Sequence, residues 1–245
     1  MLMLASRIQS KPAAIQSELE SLADPRHATI LQRFFKTGPG EYGEDDRFRG
    51  IRVPVLRKMA RKYRQLSLTE AGRLLQSAFH EDRLLALLIL IQRYYQGDFA
   101  LRDEIHCLYL EHRSFVNSWD LVDVSAQHLV GHYLGNRATD PLTRLAVSGV
   151  VWERRMAIMA TFHFIKQGDY DETLRVARLL LGDPEDLIHK AVGWMLREVG
   201  KRDLAALEGF LRRHGRAMPR TALRYAIERF PEERRRGYLS GEVGR

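Results

Sequence analysis

No stretch of this chain alternates apolar and polar residues long enough to make a half-buried strand, whereas helix-start signals recur along its whole length. Thr139-Asp140-Pro141 and Asp183-Pro184 each place a capping residue ahead of a proline suited to the first helical position. Ser67 with Glu70 makes a capping box. Read from such signals, the sequence predicts helices over 6–23, 27–36, 54–64, 69–78, 81–96, 99–112, 118–134, 140–148, 151–167, 171–181, 184–200, 203–214 and 219–229. Most links are short, about two to six residues, so sequential helices must pack antiparallel. The expected fold is all-α, a superhelix of antiparallel helical pairs of the HEAT-like α-solenoid type, with a compact bundle as the alternative. No strict period is visible, so the repeats are degenerate. One domain over 1–245 is expected, with a loop over 37–51 inserted after the second helix.

Composition narrows the partners. A hydrophobic content of 45% is enough to fill a core. A formal net charge of +8 and a pI of about 9.8 point to an anionic polymer or an anionic membrane surface. The longest apolar run, Leu84 to Ile91, cannot span a bilayer. Met1 to Ser6 is too short and too weakly apolar for a signal peptide, and the first helix is too weakly basic for a membrane anchor. Cys107 is the lone cysteine, which excludes an internal disulfide and a cysteine-based metal site. A soluble cytoplasmic protein is expected.

All three tryptophans sit beside charges at helical spacing. Trp119 and Asp123 are four residues apart and share a helix face. Asp123 lies mid-helix between Val122 and Val124. One reading makes it half of an ion pair with an arginine from a neighbouring helix. The other makes it a carboxylate that stabilises an oxocarbenium-like sugar and orients water beside an indole. Trp152 is followed by Arg154 and Arg155, which diverge by about 100° around a helix. One of them can face a groove while the other pairs with an acid. Lys190, Trp194, Arg197 and Lys201 form a basic stripe around an aromatic, an arrangement suited to a nucleic-acid backbone or to a solvated face. Arg220 and Arg224 share a face at the start of a late helix and suit bidentate phosphate contacts. Arg234 to Arg236 read as a solvated rim.

Other signals are weaker. The glycines of Gly38-Pro39-Gly40-Glu41-Tyr42-Gly43 lack a Gly-Lys-Ser/Thr ending, and Glu41, Glu44, Asp45 and Asp46 would repel phosphate. The loop therefore reads as structural or as a partner contact. His128 and His132 have metal-ligand spacing, but no third ligand is evident, so no metal is expected. No zinc-protease motif or nucleophile elbow occurs.

Three ordered segments carry a resemblance: Asn117–Asp123, Trp152–Ile158 and Lys190–Glu198. With them the chain resembles the DNA alkylation repair family, AlkD-like DNA glycosylases, over most of its length. The resemblance implies a HEAT-like superhelix that holds duplex DNA on a concave face, and excision of N3- and N7-alkylated, positively charged purines. It implies Asp123 as the catalytic carboxylate, with Trp119 and Trp194 against the lesion-bearing nucleotide and Arg155 on DNA. Trp152, Arg154, Lys190, Arg197, Lys201, Arg220 and Arg224 are the further DNA-binding candidates. Phe34 stands where the family carries an early tyrosine facing the lesion, and the loop after it is longer than is typical. No cofactor is implied. The expected partner is duplex DNA containing alkylated bases, bound by a monomer in the cytoplasm, at the nucleoid. The competing readings are a non-catalytic binder of damaged or branched DNA and a protein-binding solenoid, which would need an apolar concave face.

Overall fold

A computed structural model describes residues 11–135 and 139–242. Positions 6–10 of the first predicted helix lie outside the described residues. The chain divides into two compact units, 1–118 and 119–245. Among the described residues there is no β-strand, only an isolated bridge between Arg47 and Phe79. No described helix is long and apolar enough to cross a membrane.

The first unit contains α1 (Lys11–Ser21), α2 (Pro25–Phe34), α3 (Val53–Lys62), α4 (Leu68–Leu75), α5 (His80–Gln96) and α6 (Phe99–Glu111). Asp24 caps α2 through the Arg26 and His27 amides, with Pro25 at the first position. The Ser67–Glu70 capping box starts α4. The apolar run on α5 is explained by two neighbours, α3 and α4, which cover it so that Leu84, Leu85, Leu87, Ile89 and Leu90 are all buried. Each such side chain contributes about 1.5–3 kcal/mol when fully buried.

The 37–51 loop is structural, and the first turn of α5 holds it. The Glu81 carboxylate accepts from the backbone amides of Arg49, Gly50 and Ile51 at 2.9, 2.7 and 3.1 Å. Asp82 takes the Arg49 guanidinium bidentately at 2.7 and 2.9 Å. Asp46 binds His80 at 2.9 Å and Arg83 at 2.7 Å, and the Phe35, Phe48 and His80 rings pack against one another, with Phe48 stacked on both of the others. Gly50 sits at φ +85°, and a Cβ there would lie 2.1 Å from the Asp24 carbonyl oxygen, so the closure requires glycine. Glu41 and Glu44 accept from the Gly38 and Gly40 amides, the groups a phosphate would otherwise use.

The second unit contains α7 (Trp119–Ala126), α8 (His132–Leu134), α9 (Asp140–Ala146), α10 (Val151–Ala160), α11 (Phe162–Gln167), α12 (Asp171–Leu179), α13 (Asp186–Gly200), α14 (Leu204–His214), α15 (Arg220–Ala226) and α16 (Glu232–Ser240). Helices α7, α10, α13 and α15 pack in succession, each on the next. Helix α9 packs on α10, α12 on α13, and α14 on α13, so helical pairs recur along that row.

Four expectations are corrected. The helix predicted over 118–134 is interrupted by a π-turn over 127–131, and that over 151–167 breaks at Thr161. Asp183 does not cap a helix at Pro184, because the helix begins at Asp186 and Asp183 instead binds Arg154. The Thr139 side chain makes no capping bond to α9. Beyond the predicted helices lies α16, which buries Gly237 and Tyr238 while Arg234 and Arg236 on it are exposed, as a solvated rim would be.

Candidate functional site

The three motif segments fold into α7, α10 and α13, and one side chain joins them. Arg155, on α10 and 4% exposed, donates from Nε and Nη2 to the two Asp123 carboxylate oxygens on α7, both at 2.8 Å. Its Nη1 donates to the Leu187 carbonyl at the start of α13 at 2.5 Å. This fork matches a carboxylate's geometry and fixes its plane. Burial is the largest influence on Asp123 and raises its carboxyl above the ordinary value. The hydrogen bonds and charge of Arg155 pull it back down, and Asp120 pushes it up.

Trp119 precedes Asp123 by one turn on α7, so the two positions share a face, and Trp119 is half-buried. Trp194 is also half-buried, and its ring lies 6.5 Å from that of Phe162. Sequence reasoning missed the cluster around Phe162. The Lys166 ammonium sits 4.3 Å above its ring and donates to Gln127 Oε1 at 2.5 Å, and the Arg202 guanidinium is 6.0 Å from the same ring. Gln127 follows Asp123 by four residues. Burial, helped by Arg202, lowers the Lys166 ammonium below the usual lysine value. A lysine one turn after a phenylalanine was the available signal, but its tie to Gln127 spans a tertiary contact.

Of the cations read from spacing, most are already engaged. Arg154 binds Asp183 at 2.5 Å, so both adjacent arginines meet acids and neither is left to face a groove. Lys190 pairs with Asp186 at 2.8 Å, Arg197 with Glu228, and Lys201 with Glu198 at 2.5 Å. Arg220 donates to the Leu239 carbonyl at 2.6 Å, and Arg224 is exposed. Trp152 is 9% exposed and belongs to the core. Phe34, in the first unit, is 62% exposed at the end of α2, its ring edge-on to Phe35.

His163 comes to 5.0 Å from His132, ring to ring, but no group of three among the described residues is arranged to hold a metal. His128 is pushed down to about 4, chiefly by burial and then by Lys166, His132 and His163. The π-turn between 127 and 131 also removes the α-helical register on which the His128–His132 spacing relied.

Gly193, inside the third motif, has a packing role. A Cβ there would stand 2.4 Å from the Ala222 carbonyl oxygen, so its absence lets α13 and α15 approach and seats Trp194 beside that contact.

The all-helical second unit thus ties its three motif helices through the Asp123–Arg155 pair, with half-buried indoles on the first and third of them. The chain belongs to the DNA alkylation repair enzyme family, whose model matches residues 15–230. Its fold is similar to that of a predicted DNA alkylation repair enzyme from Enterococcus faecalis, with TM-score 0.66 and 16% identity over 86% of this chain and 97% of that one. No curated protein matches it. Family membership gives the chain a role in DNA alkylation repair, with DNA as its partner.

Proposed function

We propose that the protein is a DNA glycosylase that hydrolyses the N-glycosidic bond of N3- and N7-alkylated purines in duplex DNA. The observation that carries this reading is the Asp123 carboxylate, clamped by Arg155 one helical turn from Trp119. An alkylated purine already bears positive charge. When the bond from C1′ breaks, its electron pair goes to the base, which leaves neutral and needs no strong acid. The charge moves to the sugar. A fixed carboxylate in a partly dry site is worth most at that moment. A carboxylate offers about four lone-pair directions and the arginine fork uses two, so the others remain for the sugar and for a water. That water attacks C1′ as its proton passes to the Asp123 carboxylate, which returns it to solvent. The indoles of Trp119 and Trp194 offer electron-rich faces to the same cation. The test is single-turnover release of 7-methylguanine and 3-methyladenine from duplex DNA by the wild type and Asp123→Asn. A monomer in the cytoplasm, at the nucleoid, accords with this reading.

One observation favours a second reading. Asp123 is paired as a structural carboxylate would be, and such a pair also suits a non-catalytic binder of damaged or branched DNA. In that case the wild type binds duplex saturably and releases neither base.

A further inference from the structure

Helix α3 and its flanks carry Arg52, Arg57, Lys58, Arg61, Lys62 and Arg64, and no acidic residue occurs from Ile51 to Thr69. All six cations are exposed, while Leu56, Met59 and Ala60 turn inward. Lys62 pairs with Glu18 at 2.6 Å. No carboxylate among the described residues lies within salt-bridge distance of the other five. This contrasts with the second unit, where Arg154, Arg155, Lys190, Arg197 and Lys201 are each matched to an acid.

Helix stability does not account for the cluster. Arg61 and Lys62 suit the C-terminal end of the helix dipole. Arg52 occupies the N-cap, where a cation is repelled, and its side chain makes no capping bond. Arg57 with Arg61 and Lys58 with Lys62 are like-charge pairs at i,i+4, which are destabilising on an isolated helix. A local arrangement that works against its own helix is expected where a partner supplies the missing charge.

We infer that the solvent face of α3 is a second DNA-backbone contact, distinct from the Trp119–Asp123–Trp194 set, in which Arg52, Arg57, Lys58, Arg61 and Arg64 seat phosphates. The inference rests on DNA being the partner, not on the glycosylase activity. The helix is about 15 Å long, the rise of roughly four nucleotides of one strand. Val53, 42% exposed, is the one exposed large apolar residue on the helix. An acidic protein would look for aromatic or apolar anchors, and a membrane for bulky apolar side chains beneath the charges. A phosphate backbone needs neither. Contacts of this kind raise affinity and fix orientation without reading sequence.

The test is a titration of undamaged duplex between about 50 and 200 mM salt, with wild type, an Arg57→Gln/Lys58→Gln/Arg61→Gln variant, and a charge-matched Arg234→Gln/Arg235→Gln/Arg236→Gln variant whose arginines are paired with Glu208 and Glu232. Circular dichroism confirms the fold of each. Three lost phosphate contacts lower the salt slope by about 2.7, so the α3 variant's affinity falls about 40-fold less steeply than the wild type's across that range. The α16 variant keeps nearly the wild-type slope. Equal slopes in all three proteins, or equal losses in both variants, overturn the inference. Absence of base release by the wild type leaves it standing, because that outcome bears on Asp123 alone.

Discussion

Arg155 touches all three motif helices at once, and its removal separates the site's chemistry from its architecture. The Asp123–Arg155 pair is 15% and 5% exposed. Deleting one partner of such a pair leaves an uncompensated charge and costs about 3–5 kcal/mol. Arg155→Ala is expected to lower the unfolding free energy by that amount in urea titrations, whereas an effect under about 1 kcal/mol would mean that water replaces the fork. Asp123 carries the pH dependence. Base release requires it ionised, and burial raises its carboxyl above the ordinary 3.8 despite Arg155. The single-turnover rate should therefore fall with acid at a midpoint above 3.8, measured where circular dichroism shows the fold intact. A rate that holds down to the ordinary aspartate value contradicts that. The pairing of Trp119 with Asp123 was legible because it follows from spacing four on one helix. The Arg155 fork was legible only as an alternative, since its partner lies thirty-two residues away. Lys166 on Gln127 was not legible at all.

At the scale of elements, caps and apolar spacing located most of the helices, and the misses have physical causes. Nothing in the residues near Thr161 forces a break there, because neither proline nor glycine is present. The π-turn after Ala126 depends on packing rather than on a local signal. Helix α16 was hidden by Arg234–Arg236 and its acidic first turn, a charge run that masks its small buried face. Two elements offer direct tests. Gly193→Val drives a side chain into the Ala222 carbonyl, so it should cost about 1–3 kcal/mol or more and slow base release by displacing Trp194. Glu81→Ala strips three loop amides and leaves the loop to the Arg49–Asp82 pair, Asp46 and Phe48, at a cost of about 3 kcal/mol. Limited proteolysis should then cut within 37–51, and a loop as resistant as in wild type would show that Phe48 and Asp46 suffice.

For the whole molecule, charge decides both stability and partner. Burial would raise the Asp46 carboxyl, but His80 and Arg83 outweigh it and hold it below the usual range. Stability from this group is present above the unfolded value and is lost as pH falls through the folded one. His128 acts in the same direction. Depressed to about 4, it stays neutral in the fold while the unfolded chain takes up a proton below its ordinary 6.5. Unfolding free energy should therefore decline from pH 6.5 towards 4, and His128→Gln should flatten that slope. An unchanged slope would mean that His128 titrates normally. The net charge of +8 was visible at once and pointed to an anionic polymer, but it did not say where the unpaired cations lie. Spacing directed attention to Lys190, Arg197 and Lys201, each of which has its own carboxylate, and away from α3. The central claim is that Asp123 acts on the sugar, and single-turnover base release from methylated duplex measures it. The wild type should free 7-methylguanine or 3-methyladenine, and Asp123→Asn should be slower by about 10²–10³ at undiminished duplex binding. Saturable binding by the wild type with no base released would contradict the enzyme reading, and equal rates from the two proteins would contradict the role given to Asp123.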